Sequence, residues 1–321
     1  MMDARGSANT FRVLAIDGGG SKGMFAIGAL LELEEMLDRP CREVFDLVYG
    51  TSVGAIIAAM IAIGYDAKQI EAWFLDRIPI IMRPSLPGRR TRLLRRAIRE
   101  FFGERRFDDV DMLLGIVATR IDFYRPMIFK TSADQAIKGD STFKPGWGAS
   151  LADALVGSCA AEPFFRGGTV RTTTGDIPVI DGGFVANNPC LFALTDAIYT
   201  LNRRREDVVA LSVGVGGYPE KRLPFIKQLV RKYWSTQLLE TVRSANTNTM
   251  SQLVAVLFKD VEIIRVHKDY TKPEYAMSFL ESDPKKLTFM TNAGKDEVRE
   301  RGDQLLAKLR LTGDSSSAVS P

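Results

Sequence analysis

The sequence has 321 residues, of which 45% are hydrophobic and 26% are charged, and its formal net charge is +4. This length is enough to bury a large core, and we expect a single domain rather than two small ones. The charge balance is only mildly basic, which excludes a chain built to bind a DNA or RNA duplex along its length. The three widely spaced cysteines lie in apolar segments, so they predict neither a disulfide framework nor a zinc site and favour a reducing compartment.

The ends of the chain and its apolar segments bear on localisation. The first ten residues lack the apolar core of a secretory signal, and the longest uncharged apolar run, at 55–63, is too short to span a bilayer. We therefore expect a cytoplasmic protein that contacts membranes only peripherally. The pattern also predicts a flexible N-terminus over 1–10, one domain over 11–312 and a disordered polar tail over 313–321.

Short apolar runs alternate with segments of helical period along most of the chain. Two predicted helices begin with N-cap signatures, because Asp66 and Ser150 are followed three residues later by Gln69 and Asp153. This alternation predicts an α/β fold, with helices layered around a mostly parallel central sheet. The predicted strands are 13–16, 45–49, 115–121, 127–130, 177–180, 208–213 and 261–267, and the predicted helices are 24–37, 53–63, 67–75, 151–156, 189–201, 223–257 and 293–311.

The first glycine-rich segment, DGGGSKG at 17–23, lies between a predicted strand and a predicted helix. A turn there presents unpaired backbone N–H groups at a helix N-terminus, where the helix dipole favours a phosphate or a developing oxyanion. Gly18, Gly20 and Gly23 also satisfy the dinucleotide pattern G-x-G-x-x-G, with Asp38 placed about 20 residues further on for the ribose. An NAD-dependent oxidoreductase is therefore one alternative, although Asp38 falls at the end of the predicted helix rather than after a second strand.

The second segment, Gly50-Thr51-Ser52-Val53-Gly54, has the G-x-S-x-G pattern of a nucleophile elbow between a predicted strand and a predicted helix. A serine on such a sharp turn projects its hydroxyl at the carboxyl edge of the sheet. Gly50 and Gly54 remove the Cβ atoms that would clash with the neighbouring strand and helix. This segment predicts that Ser52 is the nucleophile of an acyl hydrolase.

A serine nucleophile needs a general base, and the chain has one histidine, His267. Neither a glycine turn nor an apolar pocket signal accompanies His267, so we expect a carboxylate in its place. Asp181 ends a short apolar strand and is followed by Gly182 and Gly183, which allow close backbone approach. A buried carboxylate at this position would have a raised pKa and act as a better base.

Three motifs in this order, DGGGSKG, GTSVG and DGG followed by NNP, resemble those of the patatin-like phospholipases. The family's motifs are G-G-G-x-R/K-G, G-x-S-x-G and D-G-A/G. The resemblance covers about 11–216, and a mostly helical part over 217–312 follows it. It implies a three-layer α/β/α sandwich around a mostly parallel sheet.

The resemblance also implies an activity and its residues. A phospholipase A-type lipid acyl hydrolase of this family cleaves esters of membrane phospholipids through a Ser-Asp dyad and needs no cofactor or metal ion. Ser52 would attack the ester carbonyl, and Asp181 would take its proton and later activate water. The backbone amides of Gly18, Gly19 and Gly20 would form the oxyanion hole.

Partners follow partly from composition and partly from the resemblance. The arginine-rich segment 88–106 has apolar residues on one helical face, which fits either contact with anionic lipid headgroups or an ordinary surface helix. Some bacterial members of the family are antiphage effectors that cyclic oligonucleotides activate, and the chain resembles this compact type. The expected partners are therefore phospholipid at the inner face of the membrane and a cyclic oligonucleotide activator, with oligomers allowed. A non-catalytic lipid-binding protein of the same fold is the remaining alternative.

Overall fold

A nine-stranded sheet lies at the centre of the computed structural model, which describes residues 10–135, 143–145, 148–173, 175–219 and 231–309. The predicted N-terminus, tail and start of the helix at 223–257 lie largely outside these residues. The strands are β1 (Phe11–Ile16), β2 (Leu47–Thr51), β3 (Leu113–Arg120), β4 (Arg125–Lys130), β5 (Phe143–Pro145), β6 (Gly168–Thr172), β7 (Gly175–Asp181), β8 (Val208–Val213) and β9 (Glu262–Val266). The helices are α1 (Gly23–Leu37), α2 (Cys41–Val44), α3 (Val53–Ala62), α4 (Ala67–Met82), α5 (Pro87–Phe102), α6 (Leu151–Ser158), α7 (Gly183–Ala186), α8 (Cys190–Thr195), α9 (Arg231–Leu257), α10 (Pro284–Arg299) and α11 (Gly302–Lys308).

The sheet has the order β5-β4-β3-β2-β1-β8-β9, and β6 and β7 form a hairpin attached to β3. Strands β3, β2, β1, β8 and β9 are parallel to their neighbours along this series. The pairings of β3 with β4, of β3 with β7 and of β6 with β7 are antiparallel. The prediction of a mostly parallel sheet is confirmed, with a mixed region at the β3 side.

Helices cover both faces of the sheet. Along β1, Leu14 and Ile16 contact one buried apolar cluster, whereas Val13 and Ala15 contact a second cluster on the opposite face. The first cluster includes α1, α3, α4, α5, α6 and α10, and the second includes α8 and the end of α9. This alternation, the two-residue period of a strand buried on both sides, confirms the three-layer α/β/α arrangement.

The predicted helix starts are accurate where a side chain caps the helix. Asp66 accepts a hydrogen bond from the Gln69 amide at 2.8 Å, and the Gln69 side chain accepts one from the Asp66 amide at 3.1 Å. Ser150 caps α6 by accepting from the Asp153 amide at 3.0 Å. These contacts satisfy backbone donors at the helix ends, so the starts are encoded locally.

Several predicted helix ends were wrong. Helix α4 continues past the predicted end and through Pro79, because Ile78 and Ile81 bury themselves against the core. The predicted helix at 293–311 begins nine residues earlier, at Pro284, and is interrupted after Arg299. The predicted helix at 189–201 is α-helical only to Thr195, after which one π-helical turn follows. Tertiary packing decided these ends rather than local propensity.

The arginine-rich segment forms the amphipathic helix α5, which ends at Phe102 and is followed by Gly103, so it is shorter than the segment 88–106. Leu94, Ala97 and Ile98 are buried in the core, and the exposed face carries arginines. These exposed arginines are Arg92, Arg95, Arg96 and Arg99. Across the described ranges, no helix combines the length and the apolar character that a bilayer span requires.

Candidate active site

Strands β2 and β7 meet end to end along one edge of β3. Thr51, the last residue of β2, is in register with Val117 of β3, and Asp181, the last residue of β7, is in register with Ala118. The two strands approach from opposite directions, because β2 is parallel and β7 antiparallel to β3. The residue after β2, Ser52, is therefore brought to the carboxylate at the end of β7.

Ser52 lies in a strained backbone conformation, with φ 54° and ψ −123°. Few non-glycine residues adopt a positive φ, and the surroundings must compensate a cost of about 1–3 kcal/mol. A Cβ on Gly50 would lie 2.2 Å from the Gly54 carbonyl oxygen, and a Cβ on Gly54 would lie 2.3 Å from the Ile16 carbonyl oxygen. The strand and the helix approach each other too closely here for any side chain, as the elbow motif predicts.

The Ser52 hydroxyl donates a hydrogen bond to Asp181 Oδ2 at 2.7 Å. Both side chains are nearly inaccessible, with 2% of Ser52 and 1% of Asp181 exposed. Burial raises the pKa of the Asp181 carboxyl above its ordinary value, although the Arg243 charge and hydrogen bonds from Ser52 and Gly183 act in the opposite direction. A carboxylate in contact with a serine hydroxyl, and made more basic by desolvation, can accept the hydroxyl proton.

Backbone contacts hold the Asp181 carboxylate in this orientation. The Gly183 amide donates to Asp181 Oδ1 at 2.7 Å, which leaves Oδ2 for Ser52. The Asp181 carbonyl accepts from the Thr119 hydroxyl at 2.8 Å. A Cβ on Gly182 would lie 2.2 Å from the Val117 carbonyl oxygen. The DGG motif therefore supplies both close approach to β3 and a donor for the second carboxylate oxygen.

The glycine loop follows β1 and lies beside Ser52 at the same carboxyl edge of the sheet. The Gly18 amide, which the sequence places in the oxyanion hole, donates in this conformation to the Asn187 carbonyl at 3.0 Å. Within the described part of the chain, the amides of Gly19 and Gly20 have no acceptor. These two amides, at the start of the turn leading into α1, remain available to an oxyanion.

An apolar cavity begins at Ser52. The walls come mainly from α4 and α3, and their apolar side chains suit an acyl chain rather than a nucleotide. The lining residues are Gly20, Ser52, Val53, Ile56, Trp73, Phe74, Arg77, Ile78, Ile81, Met82, Leu94, Cys159, Phe165 and Phe279.

Three residues at the site were missed from the sequence. Ser158, at the end of α6, accepts a hydrogen bond from the Ser52 amide at 2.9 Å. Asn187 donates from its side chain to the Gly18 carbonyl at 3.1 Å, and Arg243 of α9 donates to the Asn187 side chain. Asn187 belongs to the NNP segment, whose polarity was a usable signal, whereas nothing local distinguishes Ser158 or Arg243.

Two other sequence candidates lie away from the dyad. His267 follows β9, three strands from β2, which corresponds to roughly 14 Å. Its ring contacts Asp269, and burial together with the Arg265 charge lowers the pKa of His267. Asp38 caps the far end of α1, about 20 Å from the glycine loop, where it cannot bind the ribose of a nucleotide held by that loop.

Comparison with known proteins decides the family. A family model for patatin-like phospholipases matches residues 14–194. The chain belongs to the patatin-like phospholipase family. It is 43% identical over 301 residues to a cUMP-AMP-activated phospholipase of Escherichia coli, which covers 94% of each chain. It is also 30% identical to a cGAMP-activated phospholipase of Escherichia coli strain TW11681, over 70% of this chain and 67% of that relative.

Membership of the patatin-like phospholipase family confirms the prediction of a lipid acyl hydrolase with serine-based catalysis. The NAD-dependent oxidoreductase is not favoured, because Asp38 lies at the wrong end of α1 and the relatives are phospholipases. The assignment of Ser52 and Asp181 as the dyad stays a prediction, which their contact and burial support.

Proposed function

We propose that this patatin-like enzyme hydrolyses ester-linked acyl chains of membrane phospholipids with Ser52 as nucleophile and Asp181 as general base. The observation that carries the proposal is the 2.7 Å hydrogen bond from the Ser52 hydroxyl to a carboxylate that is 1% exposed. No second base is needed, because Asp181 is oriented by Gly183 and made more basic by burial.

The reaction follows from this geometry in two steps. The acyl chain occupies the apolar cavity, which places the ester carbonyl at Ser52. Asp181 accepts the hydroxyl proton as Ser52 Oγ attacks, and the amides of Gly19 and Gly20 stabilise the oxyanion. The protonated Asp181 then protonates the leaving alcohol, and the resulting carboxylate activates a water molecule that hydrolyses the acyl-enzyme.

Active-site labelling tests the dyad. A fluorophosphonate probe should label the wild type and the exposed-serine control Ser85→Ala, but not Ser52→Ala. Asp181→Asn should retain the fold, and its rates of labelling and of ester hydrolysis should fall by several orders of magnitude. Full hydrolysis by Asp181→Asn would show that another group is the base, and labelling of Ser52→Ala would reject the nucleophile. If the chain were instead a non-catalytic lipid-binding protein, the probe would not label the wild type.

We also propose that a cyclic oligonucleotide activates the enzyme. Two relatives support this proposal, one a cUMP-AMP-activated and the other a cGAMP-activated phospholipase. The near-complete burial of the dyad supports it as well. Fatty acid release from liposomes should be slow without effector and rise with cUMP-AMP or a related cyclic dinucleotide. This proposal would be contradicted if the rate of fatty acid release were the same without effector and with each member of a panel of cyclic di- and trinucleotides.

The enzyme would act in the cytoplasm and meet the membrane through α5. Arg92 and Arg95 are exposed on that helix and, among the described residues, have no carboxylate partner. Replacing both with glutamine should weaken binding to anionic liposomes, as measured by flotation, with little change on zwitterionic ones. The control replaces Arg204 and Arg205, which precede β8. Equal liposome binding by both variants would show that α5 is an ordinary surface helix. The elution volume in size-exclusion chromatography would show whether the protein forms an oligomer.

A further inference from the structure

Arg243 of α9 is a buried cation beside the active site, with 4% of the residue exposed. Its Nε and Nη2 donate to Asn187 Oδ1 at 3.3 and 2.9 Å, and its guanidinium lies 4.7 Å from the centre of the Phe279 ring. The third nitrogen, Nη1, is buried and has no hydrogen-bond acceptor within the described ranges. One edge of the guanidinium is thus fixed by the protein, and another donor is left unused.

The guanidinium lies next to both members of the dyad. A Cβ built on Gly18 would lie 2.9 Å from Arg243 Nη2 and 3.2 Å from Ser52 Cβ. A Cβ built on Gly183 would lie 3.2 Å from Arg243 Nε and 2.8 Å from Asp181 Oδ1. The same charge lowers the pKa of the Asp181 carboxyl. Arg243 therefore borders the small space directly around the reacting hydroxyl.

Arg243 is not among the residues that line the acyl cavity. Phe279 lines that cavity, and Arg243 stacks against the Phe279 ring without itself lining the cavity. With the acyl chain in the cavity, the alcohol half of the ester must leave in another direction. In a glycerophospholipid, the alcohol half carries the phosphodiester.

The buried charge lacks an ion-pair partner. Among the described residues, no carboxylate lies within ion-pair distance of Arg243, and its bonded acceptor is a neutral amide. Arg90, which is also buried, donates instead to the backbone carbonyls of Met82 and Phe164, both at 3.4 Å. The partly exposed Arg265 forms an ion pair with Asp17. Burying a cation without an ion-pair partner and with an unused donor is unfavourable, and an anionic ligand with acceptor oxygens would offset this cost.

We propose that Arg243 binds the phosphodiester of the substrate and makes the enzyme prefer phospholipids to neutral acyl esters. This proposal rests on the proposed function, since it adds a headgroup contact to the same site. Phosphate matches the unused donor because a guanidinium forms short, charge-assisted hydrogen bonds to phosphate oxygens. The carbonyl oxyanion has its own donors in Gly19 and Gly20.

The test compares two substrates with the same acyl chains, a phospholipid and a diacylglycerol, in the same detergent micelles and at saturating activator. Arg243→Met should lower kcat/KM for the phospholipid at least about 10-fold more than for the diacylglycerol. The substitution also changes the pKa of Asp181, but this affects both substrates and cancels in their ratio. Arg243→Lys keeps the charge without the planar fork and should give a ratio between those of Arg243→Met and wild type. The exposed control Arg204→Met should leave the ratio unchanged.

Each outcome bears on the proposal. An equal fall in kcat/KM for both substrates would overturn the phosphodiester proposal. Arg243 would then stabilise the oxyanion or position Asn187. If the variant needs more activator for half-maximal activity while the ratio of kcat/KM values is unchanged, the proposal is also overturned. Arg243 would then bind the phosphates of the activator. If Arg243→Met does not fold, an unchanged ratio in Arg243→Lys overturns it. Failure of the proposed function is distinct, because the wild type would then hydrolyse neither substrate.

Discussion

Ser158 offers a direct test of how the strained Ser52 backbone is held. Its hydroxyl is fully buried at the end of α6, where it donates to the Val117 carbonyl at 2.6 Å and accepts from the Ser52 amide at 2.9 Å. This single side chain ties the elbow to β3, the strand that also positions Asp181. Ser158→Ala removes both bonds without adding volume.

The expected effect can be worked from these contacts. A buried amide left without an acceptor costs about 1–3 kcal/mol of unfolding free energy. The positive φ of Ser52 already costs about 1–3 kcal/mol, so the elbow should relax once this bond is lost. A displacement of about 1 Å in a reacting group can lower the rate roughly 100-fold. We expect kcat to fall about 10- to 100-fold, with a smaller change in KM.

The same helix provides a matched control. Ser150→Ala removes the N-cap bond to the Asp153 amide at the other end of α6 and should cost about 1 kcal/mol. Urea unfolding gives the stability of each variant, and hydrolysis of a soluble short-chain ester gives kcat. Wild-type kcat in Ser158→Ala would refute the assignment of this bond to the elbow. An equal loss of kcat in Ser150→Ala would show that activity follows the stability of α6 in general.

Three further outcomes are expected. Because burial raises the pKa of Asp181 and the base must be ionised, kcat/KM for a soluble ester should fall with decreasing pH at a midpoint above the ordinary value of about 4; a midpoint at or below 4 would contradict this. Gly54→Ala would place a Cβ 2.3 Å from a carbonyl oxygen of β1 and should cost about 1–3 kcal/mol in urea unfolding, whereas Gly168→Ala, with open space around it, should cost much less. Asp196→Ala breaks the buried ion pair with Lys130 and should cost about 3–5 kcal/mol; a loss below about 1 kcal/mol would show that the pair contributes little.

The elements that the sequence predicted well have local causes. The strand–turn–helix units around Gly18 and Ser52 follow from apolar runs interrupted by glycines at positions where no side chain fits. Helix starts at Ala67 and Leu151 follow from capping residues beside them. Helix ends were less predictable, because Ile78 and Ile81 extend α4 through burial that a local pattern does not report.

The candidate dyad illustrates the same division. Residue types alone indicated Asp181 as the base. The single histidine, His267, has no glycine turn or apolar pocket signal beside it, whereas Asp181 precedes two glycines. Its contact with Ser52 depends on β7 reaching β3 antiparallel while β2 reaches it parallel, over 129 residues of chain. The Gly18 amide shows the limit of motif reasoning, since a distant carbonyl of Asn187 occupies it.

Local sequence patterns were enough to indicate the family, the nucleophile elbow and the candidate carboxylate, because each pattern depends on residue types within a few positions of one another. Only the packed structure shows which glycine amides lack an acceptor among the described residues, which residues line the apolar cavity, and that Ser158 and Arg243 lie beside the candidate dyad. These features arise where segments distant in the chain are packed together, and the residues that meet there carry no local pattern. The unpaired guanidinium of Arg243 is visible only once α9 is folded against the glycine loop.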